Sequence, residues 1–111
     1  MKPVMTALMA ASIVGAFAAA ASAQDAKGAK VYTDQKCATC HSIAGKGNKK
    51  GPLDEVGSKL SSNDIHQWIV DPAGMTAKAK AARKPPMPNK YASLPKDDLD
   101  ALVAYLSSLK K

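Results

Sequence analysis

A chain of 111 residues with a formal charge of +7 and only two cysteines has room for one small domain and not two, and its lone cysteine pair cannot build a disulfide scaffold. The lysines are scattered and aromatic residues are few, at 5%, which argues against a nucleic-acid surface built on stacking and a basic groove. The positive balance either serves solubility or favours encounter with an acidic patch on a partner protein.

The N-terminus reads as an address. Lys2 gives a short positive start, Val4 to Ala20 is an alanine-rich apolar run, and Ala21-Ser22-Ala23 is a small-x-small cleavage site. An apolar run of about 17 residues is near the shortest that spans a bilayer, so an uncleaved anchor is the alternative; the cleavage site favours a signal peptide over 1–23 and export to the periplasm, without membrane attachment afterwards. What remains, 24–111, is one domain of 88 residues with fifteen basic and nine acidic side chains. A core that small commonly needs a staple.

The first predicted helix covers Asp25 to Lys36, with Ala26, Ala29, Val31 and Tyr32 on its apolar face. It runs into Cys37-Ala38-Thr39-Cys40-His41. Two thiols and an imidazole in five residues are the attachment signature of c-type haem. If Cys37 to Cys40 make one helical turn, both sulfurs leave the same face and can meet two vinyl groups on one porphyrin edge, while His41 aims its imidazole at the iron. A bare CxxC would also suit a redox disulfide or half a zinc site; the adjoining histidine favours haem.

The glycines, proline and lysines between Gly45 and Pro52 predict loop. Ser62 or a neighbour caps a second helix through Val70, with Ile65, Trp68 and Ile69 at helical spacing, and Asp71-Pro72 ends it. From Ala73 to Lys84 alanines favour helix but no apolar stripe runs through them, so helix and loop both fit. Pro85-Pro86-Met87-Pro88-Asn89 is not helix interior. A last helix runs from about Ser93 or Pro95 to Leu109, with Asp97 and Asp98 at its start, Lys110 and Lys111 beyond its end, and a stripe of Leu99, Leu102, Val103, Leu106 and Leu109. No segment alternates with strand period, so the fold class is all-α.

His41 fills one axial position of an iron, and the second ligand has to come from elsewhere. Outside the leader the only methionines are Met75 and Met87. Pro85, Pro86 and Pro88 hold Met87 on an extended strap able to cross a porphyrin face, whereas Met75 follows Gly74 in a pliable turn. A thioether there raises the reduction potential; His66, the other rival, would lower it and reads as an edge residue beside Gln67. The second ring nitrogen of His41 needs an acceptor, for which a carbonyl of Gly51-Pro52 is placed in sequence. Trp68 and Tyr91 are candidate donors to propionates, with core packing the ordinary role of such a Trp.

Taken together, the CxxCH motif, Gly51-Pro52, the Trp68-Ile69 helix, Pro86-Met87-Pro88 and the terminal Leu102-Val103-Ala104-Tyr105-Leu106 resemble a small bacterial class I cytochrome c over nearly all of 24–111. The resemblance implies three to five helices around one haem c, thioethers from Cys37 and Cys40, and axial ligands His41 and Met87. It also implies a crossing of the first and last helices in which Gly28 and Tyr32 meet Leu102 and Tyr105. Leu53 follows Pro52 directly, one residue earlier than the family's usual leucine. The implied function is electron transfer without substrate chemistry, by a monomer shuttling one electron between redox partner proteins with acidic docking patches, steered by Lys46, Lys49, Lys50, Arg83 and Lys84. Three alternatives stay open at this point: a haem enzyme or sensor with an open sixth site, a fixed electron-relay subunit of a larger oxidoreductase, and a haem-free thiol protein.

Overall fold

Helix α1 occupies 23–34 in the computed structural model, which describes residues 23–82 and 85–110. The predicted leader lies outside the described residues apart from Ala23. The helix is already formed at the first described residue and ends two residues earlier than its apolar spacing suggests. Its early end has a backbone cause: Lys36 takes a left-handed conformation, φ 58°, which breaks the helical ladder and turns the chain into a 3-10 helix at Cys37–Thr39.

The glycine-rich segment expected as loop is a clasp. Strands β1 (Ser42–Ile43) and β2 (Lys46–Gly47) pair antiparallel, Ser42 opposite Gly47. Ala44 and Gly45 turn between them at φ 53° and 79°, and two positive values in succession are what a two-residue hairpin needs to match strand twist. Asp54 pins this turn, its carboxylate accepting from the Ala44 N–H at 2.6 Å. On its other edge β1 meets the incoming chain: Ser42 N–H donates to Gly51 and Leu53 N–H donates back to Ser42 at 2.8 Å.

A short helix α2, Val56–Lys59, follows. Helix α3 spans Ser62–Val70, the predicted range, with Ser61 as its cap: the hydroxyl accepts from Asp64 N–H at 3.1 Å. Asp71-Pro72 ends α3 and also starts another helix, α4, over Pro72–Ala79. Asp71 accepts from Gly74 N–H at 3.2 Å and Pro72 sits at the first helical position, where its missing N–H costs nothing. The ambiguous stretch is therefore helical at its start. Beyond the proline strap a 3-10 helix, Asn89–Ser93, leads to α5, Lys96–Ser107.

Helices α1 and α5 cross at Gly28. A Cβ there would collide with the Ala101 carbonyl and the Tyr105 side chain, so only glycine lets the two backbones approach this closely. Tyr32, one turn on, meets Tyr105 edge to face at 6.3 Å. The expected crossing is present, with Ala101, fully buried, as the contact that the leucine stripe does not reveal. Ile65 and Ile69 of α3 pack with Leu99, Leu102 and Leu106 of α5 and with Val31, Tyr32 and Tyr91 to form the core. The end of α5 is tied down by Gly57 N–H donating to Leu109 at 2.8 Å and by a 3.0 Å contact between the hydroxyls of Ser62 and Ser107. No helix among the described residues is long and apolar enough to cross a membrane. Apart from the clasp the domain is helical, an all-α fold.

Candidate functional site

The turn at Cys37–Thr39 decides where two sulfurs point. Cys40 caps the 3-10 turn that begins at Cys37, and the two cysteines line the same lobe of the cavity described below. The turn closes through Cys40 N–H and His41 N–H, both donating to the Cys37 carbonyl, at 3.1 and 2.9 Å. Both cysteines are free thiols, half-buried. Burial pushes the Cys37 thiol up to about 11, against a smaller pull from the Lys90 charge. At neutral pH that thiol is protonated, which makes it a poor attacking group in disulfide exchange.

His41 is fixed from below. Its Nδ1 lies 3.0 Å from the Gly51 carbonyl oxygen. A carbonyl can only accept, so Nδ1 carries the proton and the lone pair is on Nε2, the tautomer a metal ligand needs. The sequence offered a carbonyl of the Gly51-Pro52 loop, that of Pro52 in particular; the structure gives the contact to Gly51 instead. The hairpin explains the choice, because the same oxygen accepts from Ser42 N–H at 3.1 Å, and the bridge to β1 turns it toward the histidine. Gly47 closes the underside at φ +109°, where a Cβ would strike the His41 carbonyl oxygen.

Above His41 lies an apolar cavity in two adjoining lobes, about 250 and about 270 Å³. Cys37, His41, Trp68, Met87 and Tyr91 line both; Cys40 lines the second. The inner lobe is walled by Leu53, Val56, Leu60, Ile65, Ile69, Leu102 and Leu106 together with Tyr32. Thus the structure brings His41 and Met87 to one cavity. Met75 and His66, the rival ligands, line neither lobe. Trp68 is half-buried in the cavity wall rather than enclosed in the core. Among the described residues no three His, Cys, Asp or Glu side chains converge as an ion site.

Val56, Leu60 and Thr76 escaped the sequence reading as cavity residues. Leu53, Val56 and Leu60 do carry a signal, since spacings of three and four make one helical face, but α2 is a single turn and its lone stripe is easily taken for loop. Thr76, on α4 and lining the second lobe, was hidden with the helix that bears it.

The charge is unevenly paired. Lys27, Lys30, Lys59 and Lys96 each face a carboxylate within 4 Å, of Asp98, Asp34, Glu55 and Asp100. Hydrogen bonds to Asp34 and Asp100 raise the pKa of Lys30 and Lys96 above the usual lysine value. Lys36, which lines the second lobe, and Lys46, Lys49, Lys50 and Lys90 have no carboxylate in ion-pair contact among the described residues; Lys90 instead stands 5.4 Å over the Tyr91 ring. Arg83 and Lys84 lie outside the described residues.

The chain fits a haem. Two thiols line one lobe of an apolar cavity, an imidazole of fixed tautomer lines both lobes, and a thioether shares them. Helices wrapped round such a cavity, with CxxCH at its edge, define the class of small haem-carrying proteins. Residues 26–110 match the family model described as cytochrome c, and the chain belongs to the cytochrome c family. That family supports haem-based electron transfer through covalently bound haem c. The chain is also 30% identical over 93 residues, 76% of its length, to a cytochrome c oxidase subunit 2 from Alkalihalophilus pseudofirmus. It spans a quarter of that relative's length. No solved structure matches it.

Proposed function

We infer that this protein is an exported, periplasmic electron carrier. It holds a single haem c through thioethers from Cys37 and Cys40, with His41 and Met87 as axial ligands, and passes one electron at a time between partner proteins. The observation that carries this reading is the shared cavity: His41 and Met87 both line its two lobes, and the rival Met75 and His66 line neither.

When bound, haem supplies an iron that alternates between the ferric and ferrous states. The chain's own residues do the rest. His41 presents Nε2, held in register by the Gly51 carbonyl. Met87 offers a soft sulfur that favours the reduced state, on a strap whose prolines restrict its backbone. The leucines and isoleucines of the inner lobe exclude water, which lowers the dielectric around the redox centre and limits what must rearrange when charge changes. Lys36, Lys46, Lys49, Lys50 and Lys90 supply unpaired positive charge near the cysteine turn, suited to brief, salt-sensitive docking on an acidic partner face.

A second reading has its own support. The likeness to an oxidase subunit four times the length of the matched segment suits a relay domain fixed within a larger oxidoreductase. Co-purification separates the two: the carrier is recovered as a monomer, the relay in a stoichiometric complex.

Carbon monoxide tests the carrier against an enzyme or sensor. The ferrous holoprotein is expected to be low-spin and to leave carbon monoxide unbound. Rapid binding would show an open sixth site and remove the carrier reading.

A further inference from the structure

Helix α2 is too short to hold itself in place, yet it carries part of the cavity wall. Its four residues make a single turn, below the roughly 12–15 residues at which an isolated helix becomes even marginally stable. Val56 and the closing residue Leu60 line the inner lobe. Together with Trp68 they also line a separate groove, which the exposed Asp54, Lys59 and Lys110 border. These three side chains are thus a wall one layer thick between an apolar cavity and a polar groove.

What holds α2 comes from the far end of the chain. Gly57 is its second residue, and its N–H, like every amide of a first turn, has no acceptor within the helix. It donates to the Leu109 carbonyl at 2.8 Å, just past the end of α5. A Cβ on Gly57 would strike the Ser107 carbonyl, so the contact needs glycine for space as well as for the amide. The main element that α2 packs on is α5.

We propose that Gly57 is a positioning residue for electron transfer: through it the C-terminus latches α2, and the latch keeps Val56 and Leu60 closed over the inner lobe, shutting groove water away from the redox centre. The inference rests on the haem reading above and adds to it a control on the reduction potential. Water admitted through a loosened wall favours the ferric state, which carries one more positive charge than the ferrous, and so lowers the potential. Gly57 touches neither ligand and acts through the two side chains that its helix places in the wall.

The test compares midpoint potentials of the holoprotein by spectroelectrochemistry in wild type, Gly57→Ala, Gly28→Ala and two C-terminal variants. One of these stops at Ser108 and so lacks the Leu109 carbonyl. The other, Leu109→Ala with Lys110→Gln and Lys111→Gln, gives up the same leucine packing and lysine charges but keeps that carbonyl. Gly57→Ala and the shortened chain are expected to load haem and to show lowered potentials, the shortened chain lower than its side-chain-matched partner. Gly28→Ala also crowds α5, but neither Gly28 nor the residues it meets line the cavity, so it should lower melting temperature and leave the potential in place. A merely structural latch would give Gly57→Ala that same pattern. A wild-type potential in the shortened chain, a shift no larger than that of its matched partner, or equal shifts in Gly57→Ala and Gly28→Ala overturns the proposal while leaving the haem assignment standing. Should Gly57→Ala yield no holoprotein, the shortened chain and its partner decide alone. A wild-type protein with no haem absorption overturns both the haem reading and the latch.

Discussion

His41 and Gly51 are joined at 3.0 Å through a carbonyl oxygen that also accepts from Ser42 N–H. One backbone atom thus sets the imidazole tautomer and ties the returning chain to the outer edge of β1. The proximal side of the site depends on backbone geometry, so glycines matter there as much as the ligands they support.

Gly47 gives the first prediction. Its φ of +109° and the proximity of the His41 carbonyl and the Ala38 side chain leave no room for a Cβ. Gly47→Ala is expected to cost roughly 1–3 kcal/mol in backbone strain and to lower the yield of haem-loaded protein. Guanidinium denaturation of the purified holoprotein measures the loss; wild-type stability would show that the hairpin yields easily.

The helix crossing is the second. Gly28→Ala places a methyl group on the Ala101 carbonyl and Tyr105, and overpacking of this kind costs about 1–3 kcal/mol. At about 4–8 °C per kcal/mol for a domain of this size, calorimetry should register a clear drop in melting temperature. The absorption spectrum is expected to stay unchanged, because Gly28, Ala101 and Tyr105, the residues that the added methyl group meets, line neither lobe of the cavity.

Alkaline pH is the third. Burial first, then the charges of Cys37, Tyr105 and Asp54, pushes Tyr32 from 10.0 up to about 12. The folded state thus holds the phenolic proton more tightly than the unfolded chain does. Its contribution to stability is complete below pH 10 and is lost as pH rises through about 12. Between those limits wild type should lose stability more steeply than Tyr32→Phe in denaturation curves; parallel slopes would contradict the burial of this hydroxyl.

Charge reversal supplies the fourth. Lys36→Glu and Lys90→Glu alter unpaired charge near the cysteine turn, whereas Lys30→Glu alters a lysine already bonded to Asp34 at 2.6 Å. Stopped-flow reduction by an acidic redox protein at low salt is expected to slow several-fold in the first two and little in the third, with the difference vanishing at high salt. Equal effects at all three positions would mean that net charge, not a docking face, governs encounter.

Much of this architecture was legible from local chemistry. Ser61 and Asp71-Pro72 bracket α3 because a capping hydroxyl and a proline act on the nearest few residues alone. The same Asp71-Pro72 pair hid α4: it is a stop for one helix and a start for the next, and only the tertiary course shows both. Gly45 to Pro52 read as loop on its glycines, proline and lysines; the hairpin that starts there needs Ala44 at a positive φ, which alanine rarely adopts and here adopts under the grip of Asp54. Gly51 and Pro52 offer chemically equal carbonyls, and it is the Ser42 bridge, which local sequence does not show, that orients the one of Gly51. Tyr32 was visible as a packing residue; that its ring also lines the cavity is a matter of three-dimensional placement.

The central claim is that Met87 and His41 share one iron. Near-infrared spectra of the ferric wild type, Met75→Ala and Met87→Ala test it most directly. The methionine-to-iron charge-transfer band is expected in wild type and in Met75→Ala, and absent from Met87→Ala. Persistence of that band without Met87 would contradict the assignment.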